Sequence, residues 1–238
     1  MNSTEVVAAN VPPDVGTYTI YVTFSKAHHE SKTLVITWTI TVIWTIAYAQ
    51  PANVSMIWGY TETVSIYYDR KRDGVFIKGA TVDVTSSPSA PTGAFTVTES
   101  TDKYVLNIDG SLLTEETTYT VNITLSKQYH ETKYVIVRVD VSSIPTVASS
   151  SLTSAETEYG LNLTIEFWYN RTDTGEGIAG ATATYEIKNG TGAVVLTGSL
   201  VENLTVAGKY HFNMNSTEVV AANVPPDVGT YTIYVTFS

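Results

Sequence analysis

The sequence predicts an all-β protein built of tandem antiparallel sandwich domains, and three observations carry that prediction. The first is composition. Of 238 residues, 38 are Thr, 29 Val, 16 Ile and 16 Tyr, whereas Leu occurs only 11 times. Branching at Cβ restricts side-chain rotation and crowds the turns of a helix, while the same shape packs well on a pleated sheet. The second is alternation of apolar and polar residues with a period of two, which buries one face of a strand and wets the other. The third is repetition. Residues 1–25 are identical to residues 214–238, so the sequence returns to its start after 213 residues. Inside that period, TYTVNITLSKQYHETK from Thr118 matches TYTIYVTFSKAHHESK from Thr17 at nine of sixteen positions, an offset of 101. The same offset superposes Gly79-Ala80 on Gly180-Ala181. Two homologous domains therefore fill each period, as in an array where every unit holds its own core.

The elements follow in order. Residues 1–45 read as the closing strands of a permuted domain, 46–145 as a complete domain, and 146–238 as the first six strands of a second. Within the complete domain, strands are expected near 53–58, 63–68, 80–85, 94–99, 103–108, 118–125 and 134–141. Tyr119, Val121, Ile123 and Leu125 point inward while Thr120, Asn122 and Thr124 point outward, and Val135 to Val141 repeat the pattern. Seven short strands in about a hundred residues, separated by regular turn signals, describe an immunoglobulin-like sandwich. The second domain's closing strand, LVITWTITV, occurs only at Leu34–Val42, where a short turn favours a hairpin with Tyr18–Phe24. Such a permuted order fits a window on a longer array. The alternative is a pilin-like subunit that polymerises by donating a strand, although residues 1–25 duplicate a segment the acceptor already holds.

No charged residue lies between Thr33 and Thr61, and TLVITWTITVIWTIAYA is long enough to span a bilayer as a helix. The copy at offset 101 carries Arg138 and Asp140, and Thr37, Thr39 and Thr41 alternate with apolar neighbours, so the stretch reads as a strand plus an apolar linker, with no membrane span. Trp44, Ile46 and Tyr48 then fall between domains.

Thirteen basic against twenty-three acidic residues give a net charge of -10, which excludes a nucleic-acid partner. Zero Cys removes disulfides and thiol chemistry, and no nucleophile has a base and an orienting partner, so the chain is not an enzyme. Eight of twelve Asn stand in Asn-x-Ser/Thr sequons: Asn2, Asn53, Asn122, Asn162, Asn170, Asn189, Asn203 and Asn215. That excess predicts N-glycosylation and an extracellular location, against the bland alternative that Thr-rich strands generate sequons by chance. Asp69 and Asp73 in one copy, and Asn170, Asp173 and Glu176 in the other, gather oxygens of the kind calcium takes. Arg70, Lys71 and Arg72 stand among them, which favours a solvated turn instead. His29-Glu30 and His130-Glu131 offer too few ligands for zinc and read as hairpin tips. Tyr67 and Trp168 occupy matching outward positions and form the candidate binding surface for a sugar or a protein partner.

YTVNITLSKQYHETKYVIVRV from Tyr119 and the Gly-Ile-Ala-Gly-Ala step at Gly177–Ala181 resemble the tandem immunoglobulin-like repeats of archaeal cell-surface proteins, including S-layer-associated and giant adhesin-like chains. Bacterial invasin-type stalks share the Gly-Ala step. The resemblance implies a structural thread, stalk or filament at the cell surface whose partners are further copies of the repeat, head to tail. An adhesive module is the rival expectation.

Overall fold

A computed structural model of the chain describes residues 14–223 and 227–238 and divides them into two units, the first ending at Ser143 and the second spanning Ile144–Ser238. The first opens with a separate two-stranded sheet, β1 (Gly16–Phe24) and β2 (Lys32–Ile40), paired antiparallel from Gly16↔Ile40 to Phe24↔Lys32. Leu34, Val35 and Ile36 of β2 and Tyr21 and Phe24 of β1 are all exposed, so both faces of this hairpin carry apolar residues that no core covers.

The sandwich that follows uses β3 (Thr45–Gln50), β4 (Asn53–Ile57), β5 (Thr61–Arg70), β6 (Thr81–Ser87), β7 (Phe95–Glu99), β8 (Tyr104–Asp109), β9 (Thr117–Ser126) and β10 (Lys133–Ser142). One sheet has the order β3-β5-β8-β7 and the other β4-β10-β9-β6. This is the immunoglobulin-like arrangement, in which the first strand divides between the sheets: β3 pairs antiparallel with β5, and β4 pairs parallel with β10. The expected alternation is realised in the core. Val64, Ile66 and Tyr68 face Tyr119, Val121, Ile123 and Leu125 across the sandwich, and Val135, Val137, Val139 and Val141 complete the layer.

One correction concerns the stretch read as a linker. Ile46 and Tyr48 lie within β3, whose inward residues are Thr45, Ala47 and Ala49 while Ile46 and Tyr48 face solvent. The buried Thr45 is satisfied because its hydroxyl donates to the Glu131 carbonyl at 2.9 Å.

The second unit contains β11 (Thr146–Ser150), β12 (Asn162–Arg171), β13 (Ala183–Lys188), β14 (Val194–Ser199), β15 (Val201–Glu202), β16 (Lys209–Asn215), a short helix α1 (Ser216–Ala222) and β17 (Thr232–Phe237). Its sheets are β11-β12-β16-β15 and β14-β13-β17, seven strands among the described residues where six were expected: β11 and β14 are additional, and the counterpart of β4, residues 154–158, forms no strand. Ile165, Ala183, Ile187, Leu200, Tyr210 and Phe212 form a smaller core. Helix α1 was not expected either. Asn215 caps it by accepting from the Thr217 N–H at 3.0 Å, and Glu218 lies in its first turn. No helix among the described residues is long and apolar enough to cross a membrane.

Candidate functional site

The Gly-Ala step is a turn anchored by a buried tyrosine, built twice. In the first unit the Tyr104 hydroxyl donates to the Ile77 carbonyl at 2.8 Å and accepts from the Ala80 N–H at 2.9 Å, while the Gly79 N–H donates to Glu99 at 2.6 Å. In the second, the Tyr210 hydroxyl donates to Ile178 and accepts from Ala181, both at 3.0 Å, and the Gly180 N–H donates to Glu202 at 3.0 Å. Gly79 and Gly180 both take the left-handed backbone that side chains disfavour, with φ of 64° and 71°. Burial pushes the Tyr104 and Tyr210 hydroxyls above the usual tyrosine value, against backbone hydrogen bonds that favour the charged form.

The acidic loops follow. Asp73 lies 3.1 Å from Arg70 and 3.4 Å from Arg72, and in the second unit Asp173, one position earlier in its loop, lies 2.7 Å from Arg171. Desolvation works against the charge on Asp73, yet the Val75 N–H and the two guanidinium groups hold its carboxyl below the usual range. Burial pushes Asp69 up. Asn170 bridges to Gly177, and Glu176 accepts from the Thr174 hydroxyl at 3.4 Å. Of the oxygens proposed for calcium, those of Asp73 and Asp173 are engaged with arginine and that of Glu176 with a hydroxyl, and no group of three or more His, Asp or Glu among the described residues is arranged to hold a metal.

The connection between β9 and β10 clamps the start of the sandwich. The backbone carbonyl of Glu131 accepts from the Tyr68 hydroxyl at 2.7 Å as well as from Thr45, its N–H donates to Ile43, and its carboxylate meets Lys133 at 2.6 Å. The Lys133 hydrogen bond and the Thr45 N–H hold the Glu131 carboxyl below its usual value. The β1–β2 turn repeats this geometry: Lys32 meets Glu30 at 2.7 Å, and His28 and Tyr129 share a left-handed φ of 64° and 63°.

The sequons divide by environment. Asn53 and Asn162 are exposed, whereas Asn122 and Asn170 are half-buried and the Oδ1 of Asn122 is covered without a partner. Asn189, Asn203 and Asn215 share one turn geometry. Each Oδ1 accepts from the backbone N–H and, at 2.7 Å, the hydroxyl of the Thr two residues on (Thr191, Thr205 and Thr217). Their Nδ2 groups contact Asn223 Oδ1 at 2.9 Å, His211 Nε2 at 3.1 Å and Gly160 O at 3.0 Å. An Asn-x-Thr string is therefore also a side-chain-capped turn here. Asn2 lies outside the described residues.

The outward face of the β3–β5 pair carries the aromatic candidate. Tyr48 and Tyr67 are register partners whose rings stack at 4.7 Å and 16°, and Lys71 sits 5.8 Å above the exposed Trp44 ring. In the second unit Ser149 stands opposite Trp168, and Lys209 lies 5.7 Å from the Trp168 ring. The structure thus does not reproduce one binding face twice: the Tyr48–Tyr67 stack is peculiar to the first unit.

No family model matches the chain, and no curated protein matches it. Among solved structures it is similar to the adhesin InvE of Yersinia pseudotuberculosis (15% identity, 81% of this chain, 55% of that chain, TM-score 0.34). It is also similar to domains 4 and 5 of the S-layer protein SbsC (22%, 47% and 59%, 0.32) and to the I-band fragment I67–I69 of titin (9%, 78% and 61%, 0.32). The chain spans 55–61% of the length of these structures. The immunoglobulin-like assignment accordingly rests on the strand order and register of the chain itself.

Proposed function

We propose that the chain is a structural extracellular protein whose sandwich domains, joined head to tail, form a glycosylated thread, stalk or surface filament. The observation that supports this reading is duplication at the level of contacts. The tyrosine-anchored turn and the lysine–glutamate hairpin tip recur at matching positions, and an Arg–Asp pair closes the same loop in both units with the Asp shifted by one residue. Such modules add length without adding chemistry, because each keeps its own core. The sequon excess supports an outside location, and the exposed Asn53 and Asn162 are the positions best placed to carry sugar. Fibres stripped from the surface of expressing cells and digested should yield peptides of this chain with hexose on Asn53 and Asn162. Recovery of the chain from the cell interior alone, with both Asn unmodified, would overturn the reading.

A second reading, an adhesive module, is favoured by the stacked Tyr48 and Tyr67 and by the exposed Trp44 just before the same strand, since flat aromatic faces suit sugar rings and cations. Saturable binding on a glycan array, lost in Tyr67→Ala and Trp168→Ala, would establish it. Binding unchanged in both variants, or none at all, would discard it.

A further inference from the structure

Two sequons meet across one ladder of the second unit. Asn162 opens β12, Asn215 ends β16, and the two are register partners. Every hydrogen-bonding group of the Asn215 amide is engaged by the fold. Its Oδ1 accepts from the Thr217 N–H at 3.0 Å and the Thr217 hydroxyl at 2.7 Å, while its Nδ2 donates to the Gly160 carbonyl at 3.0 Å and to Asn162 Oδ1 at 2.7 Å. Ser216 strengthens the same tie, donating its N–H to the Leu161 carbonyl at 2.9 Å and accepting from the Gly160 N–H at 2.8 Å. Asn162 is the opposite case: it is exposed, and its Nδ2 has no hydrogen-bond partner among the described residues. The first unit shows which part of this arrangement the fold requires. At the equivalent positions it holds Thr61 and Asp109, again register partners. Asp109 accepts from the Ser111 N–H at 3.0 Å and the Ser111 hydroxyl at 2.6 Å, and the Gly110 N–H donates to the Tyr60 carbonyl at 2.9 Å as Ser216 does to Leu161. An acid thus builds the same cap, although an acid has no nitrogen to carry a sugar. What the amide of Asn215 adds is the pair of donated bonds to Gly160 and Asn162.

We propose that this pair takes one glycan, on Asn162, and that Asn215, although it lies in a sequon itself, stays bare and acts as the positioning residue for its partner. The inference rests on the glycosylated reading above and specifies which nitrogen is used. In the transfer, Nδ2 of Asn162 attacks the anomeric carbon of a sugar held on a nucleotide or lipid phosphate. The N–C bond forms, the C–O bond to phosphate breaks, the phosphate leaves with the electron pair, and Nδ2 gives up one of its two protons. Asn162 loses no contact in that exchange, because its bond to Asn215 runs through Oδ1. Asn215 would have to release either Gly160 or Asn162, since a substituted amide keeps a single N–H. The hydroxyl of its own sequon is also committed, as Thr217 donates to Asn215 Oδ1. Register partners across an antiparallel pair stand about 5 Å apart at Cβ, so two sugars here would compete for one space. The bond from Asn215 holds the Asn162 amide by its oxygen and leaves the nitrogen unengaged, which is the positioning role.

The test uses the purified full-length chain, a soluble N-glucosyltransferase and UDP-glucose, read out by peptide mass spectrometry. On the folded chain glucose should appear on Asn162 and on the exposed Asn53, and not on Asn215. On proteolytic fragments of the same chain, where the ties to Gly160 and Asn162 are gone, Asn215 should be modified as readily as Asn162. Asn215→Asp keeps the cap, as Asp109 does in the first unit, but turns the Asn162 amide round so that its Nδ2 donates to the new carboxylate. Glucose on Asn162, measured against Asn53 of the same chain, should then fall about fivefold, the effect of one net hydrogen bond on the attacking nitrogen. Loss of fold frees that nitrogen and cannot produce the fall. Glucose on Asn215 of the folded chain, an Asn162 left bare there, or an Asn215→Asp chain that modifies Asn162 at or above the parent rate would overturn the assignment. A chain recovered from its fibres with no sugar on Asn53 or Asn162 would instead sink the glycosylated reading and leave this pattern standing, because the transfer is made on purified protein.

Discussion

At the residue scale, the tyrosine-anchored turns show how a sequence signature acquires meaning from one buried hydroxyl. Tyr104 is 2% exposed and serves two backbone groups at once. Tyr104→Phe leaves the Ala80 N–H and the Ile77 carbonyl without their partner, at a cost of about 1–3 kcal/mol. Because burial raises its folded pKa above the unfolded value, this tyrosine contributes stability that is fully present below about pH 10 and lost as pH rises through the folded value. Thermal melts of the parent between pH 9 and 12 should therefore fall off, and those of Tyr104→Phe should start lower and decline less. An equal alkaline decline in both would refute the linkage. The Gly-Ala step was legible in the sequence as a repeated string, but its partner tyrosine, 24 residues on, was not, since nothing local marks a long-range acceptor. The sequons at Asn189, Asn203 and Asn215 show the converse. One string satisfies both a glycan acceptor and a capped turn, and only the side-chain geometry separates the two.

At the element scale, the strands with clean alternation were legible and those with inverted alternation were not. β5, β8, β9 and β10 place apolar residues inward at every second position, as the sequence predicts. β3 inverts the rule, with Thr45, Ala47 and Ala49 inside and Ile46 and Tyr48 outside, so periodicity pointed to a linker. Its placement is dictated by the β9–β10 turn, which grips Thr45 and Tyr68 through Glu131. Helix α1 had a readable start in Asn215 and Glu218, a capping pattern masked by the Val- and Thr-rich surroundings. The clamp titrates. Lys133 holds the Glu131 carboxyl below the usual range, and elsewhere in the same sandwich the Ser143 N–H and hydroxyl do so for Glu116 and Arg138 and Thr118 for Asp140, while Asp69 opposes them because burial raises it. A depressed carboxyl contributes stability present above its unfolded pKa, about 4.3, and lost as pH falls through the folded value. The first sandwich should thus melt lower as pH drops from about 5, and Glu131→Gln should flatten that decline. Parallel acid profiles for parent and variant would show that the clamp does not depend on this carboxylate.

At the scale of the whole molecule, the account joins two features: a sequence that returns to its start after 213 residues, and two sandwiches that repeat the same tyrosine-anchored turn. The repeat was fully legible in the sequence, because identity needs no structure to be seen. The most direct test of the head-to-tail account is electron cryo-microscopy of the fibres on expressing cells, resolved to individual strands. The account predicts a single file of immunoglobulin-like beads, two per 213-residue repeat, with a strand reading Leu34–Val42 beside every strand reading Tyr231–Phe237. Fibres in which that edge of the second bead is covered by any other segment, or surfaces on which the chain stands as isolated single copies, would contradict it.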